Sequence, residues 1–149
     1  MMITIRDAAE EDIPAIFEVR TSVRENHLSV EQMAALGITH QTVLDALRTA
    51  PCLWVAIEED RVVGFSMADA EDACVFAAFV RPDWAGRGIG RRLMERAEAF
   101  LFERHNSIWL HTDGASSAAG FYEELGWERM PDVEGRDARV EKHRTPAGC

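Results

Sequence analysis

Val80-Arg81-Pro82-Asp83-Trp84-Ala85-Gly86-Arg87-Gly88-Ile89-Gly90-Arg91-Arg92-Leu93 is the stretch whose reading decides the fold. Just before it, Ala73 to Val80 is an uninterrupted apolar run that Pro82 stops. Such a run predicts a central strand buried on both faces. Just after it, Ile89, Leu93, Ala97 and Leu101 recur at helical spacing, with Arg92, Glu95, Arg96 and Glu103 on the opposite face. Gly86, Gly88 and Gly90 lie between strand and helix. Glycine lets backbone N–H groups turn towards one point and lets a ligand approach closely. The first turn of a helix adds N–H groups without partners and a partial positive charge. Strand, glycine turn and helix start together form an anion cradle suited to a phosphate or diphosphate. A glycine-rich loop serving only as a turn is the plainer alternative, and the flanking elements weaken it.

Two familiar phosphate loops do not fit. A Walker A loop needs Lys followed by Ser or Thr after its last glycine, and here Arg91-Arg92 follow Gly90. A dinucleotide fingerprint needs GxGxxG, whereas the spacing here is GxGxG. A diphosphate ligand of another type is left. Arg81, Arg87, Arg91 and Arg92 form a basic cluster in a chain of net charge -10. The overall charge repels nucleic acid and anionic membranes. The local cluster suits one small polyanion, or is a solvated helix start.

The chain of 149 residues suits one domain, taken as 1–149. Its 47% hydrophobic and 28% charged residues are ordinary for a globular protein. No apolar run approaches the roughly 20 residues of a membrane span. The start, Met1 to Arg6, lacks the basic-then-apolar layout of a signal peptide, so the expected location is cytoplasmic. Cys52, Cys74 and Cys149 form no CxxC pair and read as free thiols, with no metal site implied. Trp54, Trp84, Trp109 and Trp127 are scattered and read as packing.

Outward from the glycine turn, the elements fall in a clear order. Ile3 to Arg6 alternates as a first strand. Asp12 to about Glu25 carries Ile13, Ile16, Phe17, Val19 and Val23 at helical spacing, with Pro14 in its first turn. Ser29 to Gln32 has capping-box form and opens a short helix ended by Gly37. Thr39 caps a third helix with Val43, Leu44 and Leu47. Leu53 to Glu58 and Val62 to Met67 are hairpin strands about a turn at Glu59 to Arg61. Beyond the glycine helix come a strand from Ser107 to Thr112, a short helix from Ser116 to Leu125 ended by Gly126, and two strands, Trp127 to Met130 and Ala138 to His143. The expected fold class is α/β, a mixed sheet in one domain.

The stretch from Val80 to Leu93 resembles the coenzyme A signature of the GNAT superfamily of N-acyltransferases. Downstream, Ala118-Ala119-Gly120-Phe121-Tyr122-Glu123-Glu124-Leu125-Gly126-Trp127 resembles the family's Ala-x-x-Phe-Tyr-x-x-x-Gly-Phe helix end. The element order fits too, so the resemblance covers nearly the whole chain. Two positions depart from the pattern: Ala85 replaces the usual Gln or Arg, and Ala115 replaces a frequent Asn. Ser116 and Ser117 are the candidate substitutes for that Asn.

The resemblance implies a sheet splayed to admit a pantetheine arm, with acetyl-CoA as acyl donor and a small-molecule or peptide amine as acceptor. It implies that Phe79 and Val80 offer backbone groups to the pantetheine. It implies that Arg87, Gly88, Gly90 and Arg91 hold the pyrophosphate through their N–H groups. Tyr122 is then the residue near the thioester sulfur and the general acid for the departing thiolate. Arg92 either adds charge near the ribose phosphate or faces solvent. By family analogy a homodimer is expected.

Transfer to an amine requires that a base or a water chain remove a proton. Many relatives place a carboxylate on the central strand, but Ala73 to Val80 has none. Glu71 and Asp72 precede it. Glu25, His27 and His111 are the candidates. For His111 a structural histidine is an equal alternative, and for Glu25 to His27 a polar loop is. The alternative function is an acyl-CoA-binding sensor without turnover.

Overall fold

In the computed structural model, the residues described are 3–23, 29–49, 52–113, 117–129 and 137–143. The chain opens with β1 (Thr4–Asp7), a 3-10 turn (Glu10–Asp12) and α1 (Ile13–Ser22). Next come α2 (Val30–Ala35), α3 (His40–Thr49), β2 (Leu53–Glu58), β3 (Arg61–Asp69) and β4 (Cys74–Val80). A second 3-10 turn (Pro82–Trp84) leads through the glycines into α4 (Ile89–Phe102). β5 (Ser107–Asp113), α5 (Ser117–Glu124), β6 (Glu128–Arg129) and β7 (Asp137–His143) follow. The strands form one seven-stranded sheet in the order β1-β2-β3-β4-β5-β7-β6. No described helix is long and apolar enough to cross a membrane.

Local chemistry explains most boundaries. The Ser29 hydroxyl accepts from the Gln32 N–H at 3.1 Å, and Gln32 Oε1 accepts from the Ser29 N–H at 2.8 Å, so both halves of the capping box form. Thr39 caps α3 through Thr42 in the same reciprocal way. Glu59 and Asp60 both take positive φ, the geometry of a two-residue hairpin turn. β1 is tied to the start of α1 by two Arg6 to Asp12 bonds of 2.7 and 3.0 Å. The Arg6 guanidinium thereby holds the Asp12 carboxyl below its usual range. α1 stops at Ser22, short of the expected Glu25, because Val23 is already extended at φ -76 and ψ 147. The Thr21 hydroxyl bonds back to the Phe17 carbonyl, and the Ser22 hydroxyl to that of Val19, one of the acceptors that the helix end leaves open.

Two apolar layers cover the sheet. On one face, Leu93, Met94, Ala97 and Leu101 of α4 and Tyr122 of α5 pack with Ala56, Val63, Val75, Ile108, Leu110 and Val140. On the other face, Ile13, Ile16 and Val19 of α1 and Val43 and Leu44 of α3 pack with Val55, Val62 and Phe65.

One expectation fails. β4 is not buried on both faces along its length. Cys74 and Val75 are buried, but Phe76 is 50% exposed and Ala77 to Val80 are half-buried. The cause is the β5 side. β4 and β5 run parallel and share the register pair Cys74↔Trp109, with the Trp109 N–H on the Ala73 carbonyl at 3.0 Å. No further pair between them occurs among the described residues, whereas β3 accompanies β4 up to Val80. The sheet forks beyond Cys74, and the apolar run lines the opening.

Candidate functional site

The fork has a definite chemistry, set by the ladder on its closed side. Gly64, Phe65, Ser66 and Met67 of β3 pair with Val80, Phe79, Ala78 and Ala77. The Arg81 N–H donates to the Val63 carbonyl at 2.8 Å, which fixes the phase of that ladder. Bonded and non-bonded pairs alternate in an antiparallel ladder. The bonded pairs are therefore Phe65–Phe79 and Met67–Ala77. The N–H and C=O groups of Ala78 and Val80 point to the other edge, into the fork. Of the two residues expected to offer backbone groups, Val80 has its own on the open edge, beside those of Ala78, and the backbone of Phe79 is turned to β3. Its ring lies on the α1 face, 5.9 Å from Phe65, with the Arg20 guanidinium 4.2 Å above it.

At the far end of β4 the chain enters α4 through Gly86 at φ +77 and Gly88 at φ +79. Gly88 is the N-cap, in left-handed geometry and without a side-chain cap. The first helical bond of α4 runs from the Arg92 N–H to the Gly88 carbonyl at 3.3 Å. The N–H groups of Ile89, Gly90 and Arg91 precede it and have no acceptor within the helix. Gly90 faces α5, where a Cβ would meet Cζ of Phe121 at 3.4 Å, an ordinary contact.

The basic cluster divides. The Arg81 Nε donates to the Val62 carbonyl at 3.2 Å, and its Nη2 meets Glu18 at 3.3 Å. Arg92 Nη1 donates to the Ile3 carbonyl at 2.8 Å, tying α4 to the start of β1. Arg92 is exposed, as one of its two expected positions had it, and its guanidinium also ties down the fold. Arg87 lies 4.8 Å over the Trp84 ring beside the glycine turn. Arg91 borders a small polar hollow with Glu95, Glu98, Glu124, Leu125 and Lys142.

Tyr122 is buried, with its ring edge-on to Phe121 at 5.3 Å and to Trp127 at 6.2 Å. Burial pushes its phenol up to about 12, so it keeps its proton across the neutral range. The helix that carries it ends as expected. Gly126 takes φ +94, and the Trp127 N–H reaches back to the Tyr122 carbonyl at 3.1 Å. The Lys142 ammonium adds a bond to the Leu125 carbonyl at 2.9 Å and one to Glu98 at 2.6 Å.

The base candidates are placed unevenly. His111 lies in β5, in register with Arg139 and two residues past the last β4 pair, with its side chain outside the described residues. Ser117 opens α5, and its side chain is likewise outside. Glu25, His27, Ala115 and Ser116 are outside altogether. Asp72 sits at the closed end of the fork, where its carbonyl accepts from the Trp109 indole N–H at 2.7 Å. Glu71 is exposed in the same turn, its N–H held by Asp69. Cys74 is the one ionisable side chain on β4, and its thiol is pushed up to about 12, by burial first and by Asp69 and Asp72 next. It is no base at neutral pH.

Sequence reading missed two positions. Ala78 follows from the phase of the β3–β4 ladder, which only the pairing of the two strands sets. Phe76 carries no signal in the sequence, since its exposure comes from a bulge: Met67 pairs with Ala77 and Ala68 with Val75, leaving Phe76 extra.

Comparison with known proteins agrees with this geometry. The model of the acetyltransferase (GNAT) domain matches residues 49–129. The peptidyl-lysine N-acetyltransferase YjaB of Salmonella typhimurium is 33% identical over 132 residues, 86% of this chain and 85% of that protein. Its Escherichia coli counterpart is 31% identical over 132 residues, 86% of this chain and 84% of its own. In structure, the PaiA N-acetyltransferase of Thermoplasma acidophilum, solved in complex with coenzyme A, superposes with a TM-score of 0.78 at 20% identity. That match covers 97% of this chain and 100% of the other. The forked sheet, the uncapped glycine turn and these matches have one conclusion: the chain belongs to the GNAT acetyltransferases, enzymes that take their acetyl group from acetyl-CoA.

Proposed function

We propose that this protein acetylates the ε-amine of lysine side chains in a protein or peptide acceptor. The observation that carries the reading is the identity with the two peptidyl-lysine N-acetyltransferases, which spans most of both chains. The same relatives are named as transferases, which weighs against a sensor without turnover.

The residues fit the donor. A diphosphate needs several converging N–H donors, and the start of α4 supplies those of Ile89, Gly90 and Arg91. An amide-bearing arm needs alternating donors and acceptors, and the outward edge of Ala78 and Val80 supplies them. Arg87 and Arg91 stand nearest the turn and add positive charge. Bound there, acetyl-CoA supplies a thioester carbonyl as electrophile. Tyr122 holds a proton for the sulfur side of that bond. Its raised affinity for the proton widens the gap to a thiol of reference value about 8.5, but an apolar surrounding raises a thiolate's basicity as well. His111, Glu25 or His27 takes the proton from the amine. Imidazole, with a reference pKa near ~6.5, suits that exchange.

The test is direct. The protein is incubated with acetyl-CoA and a lysine peptide blocked at its N-terminus. Thiol release is followed, and the acetylated atom is located by mass spectrometry. Acetyl-CoA-dependent thiol release that requires the lysine supports the reading. Tight acetyl-CoA binding without turnover on any amine sinks it.

A further inference from the structure

Large aromatic side chains seldom stand exposed on an interior strand, yet Phe76 of β4 is 50% exposed. The residue is the extra member of the β3–β4 bulge, paired with neither Met67 nor Ala68. Bulges re-aim a side chain and interrupt pairing, and they recur beside active sites. Phe76 also lies two residues beyond Cys74, where β4 last pairs with β5. It therefore stands at the start of the fork, two residues before Ala78, whose backbone opens into it.

We propose that Phe76 is a specificity-determining residue for the acceptor, with its ring packed against the aliphatic arm that carries the reacting amine. The inference rests on the lysine reading above and names what selects that amine. No carboxylate stands on β4 to grip an ammonium group, and the strand's single ionisable group is a buried thiol. What β4 itself can grip is therefore the arm rather than the charge. A lysine side chain brings four methylenes before its nitrogen, and such a stem packs readily on apolar surface. An α-amine brings none. The net charge of -10 draws a cationic acceptor to the protein, and the ring at the fork chooses among its amines.

The experiment compares wild type with Phe76→Ala and Phe76→Leu. Two acceptors are used: an N-terminally blocked lysine peptide, and a lysine-free peptide with a free α-amine. The ring's loss should raise KM for the lysine peptide about tenfold, the scale of one lost apolar contact, with kcat nearly unchanged. Preference for the ε-amine over the α-amine should fall by the same factor. Phe76→Leu should recover most of it. Acetyl-CoA affinity by calorimetry should stay within about twofold. Should Phe76→Ala fail to fold, Phe76→Thr repeats the truncation with a residue suited to strands. An unchanged KM for the lysine peptide overturns the assignment. So does a variant that keeps KM and gains butyryl-CoA turnover, since the ring would then bound the acyl group. A wild type that acetylates no lysine peptide overturns the lysine reading itself, and that result is in hand before any variant is compared.

Discussion

The two halves of the site are built from different materials. On the proposed reading the donor side is backbone: the outward edge of Ala78 and Val80, the positive φ of Gly86 and Gly88, and the N–H groups at the start of α4. The acceptor side is then side chains: Phe76 at the bulge, Tyr122 towards the end of α5, and the candidates His111, Glu25 and His27. A ligand shared by a whole family can be held by main-chain groups, which any sequence with the right glycines supplies. An acceptor that differs between members has to be read by side chains. The donor half therefore tolerates changes such as Ala85, while the acceptor half should lose function one residue at a time.

Gly88→Asp should break the donor half outright. The position demands φ +79, which a side chain resists, and a carboxylate there would bring negative charge to the proposed anion site. Acetyl-CoA affinity measured by calorimetry should fall by more than about 100-fold. Gly88→Ala separates strain from charge and should lose less. Unchanged affinity in a folded Gly88→Asp protein would show that the anion binds elsewhere.

Tyr122→Phe tests whether a side chain at the junction of the halves does chemistry or only packs. The variant keeps the ring edge-on to Phe121 and Trp127 and removes the proton. General acid catalysis typically contributes about 100- to 10,000-fold, so kcat should fall into that range with acetyl-CoA affinity retained. A kcat within about twofold of wild type, under ~0.5 kcal/mol of barrier, leaves only the packing role. Tyr122 is the chain's one tyrosine, so phenolate absorbance reads it alone. Its titration should centre near 12. The unfolded phenol titrates near about 10. A folded value above the unfolded one means that this contribution to stability is complete below about pH 10 and is lost as pH climbs towards 12.

Glu25→Gln and His27→Ala probe the acceptor half where the chain follows α1. Each should raise the acceptor's KM or lower its kcat by about tenfold and leave acetyl-CoA affinity alone. If both variants show wild-type acceptor kinetics, the selecting groups lie at Phe76 and on β5 instead.

The same division explains what the sequence made legible. Glycine spacing, capping boxes and apolar periodicity are local signals, and they placed every element from β1 to β7 in order. They also placed the glycine turn at the helix start, because Gly88 and the first turn of α4 are neighbours in the chain. Ladder phase and bulges depend on how two strands meet. Ala78 and Phe76 therefore had to wait for the pairing of β3 with β4. Burial of β4 was misread for a related reason: its apolar run means one thing when a strand lies on each side and another when β5 departs after Cys74. The arginines show the limit most plainly, since four basic residues near a glycine turn look alike in sequence and do different work in the fold.

Arg92→Met is the smallest of these tests and the sharpest on that last point. By position, Arg92 belongs to the donor half, one residue past Arg91 in the first turn of α4. Its Nη1 instead donates to the Ile3 carbonyl at 2.8 Å, and Arg96, a turn later, donates to the Ile5 carbonyl at 3.3 Å. The two guanidinium groups clip α4 to the edge strand. Losing the Arg92 bond should lower stability by about 1 kcal/mol, the net worth of an exposed hydrogen bond, and acetyl-CoA affinity should change by less than about twofold. Arg91→Met, at the turn itself, should weaken acetyl-CoA several-fold and leave stability nearly as it was. A reversed pattern, with Arg92→Met the one that loses acetyl-CoA, would mean that its side chain leaves the Ile3 carbonyl for the ligand, and that the donor half depends on side-chain charge as well as on backbone.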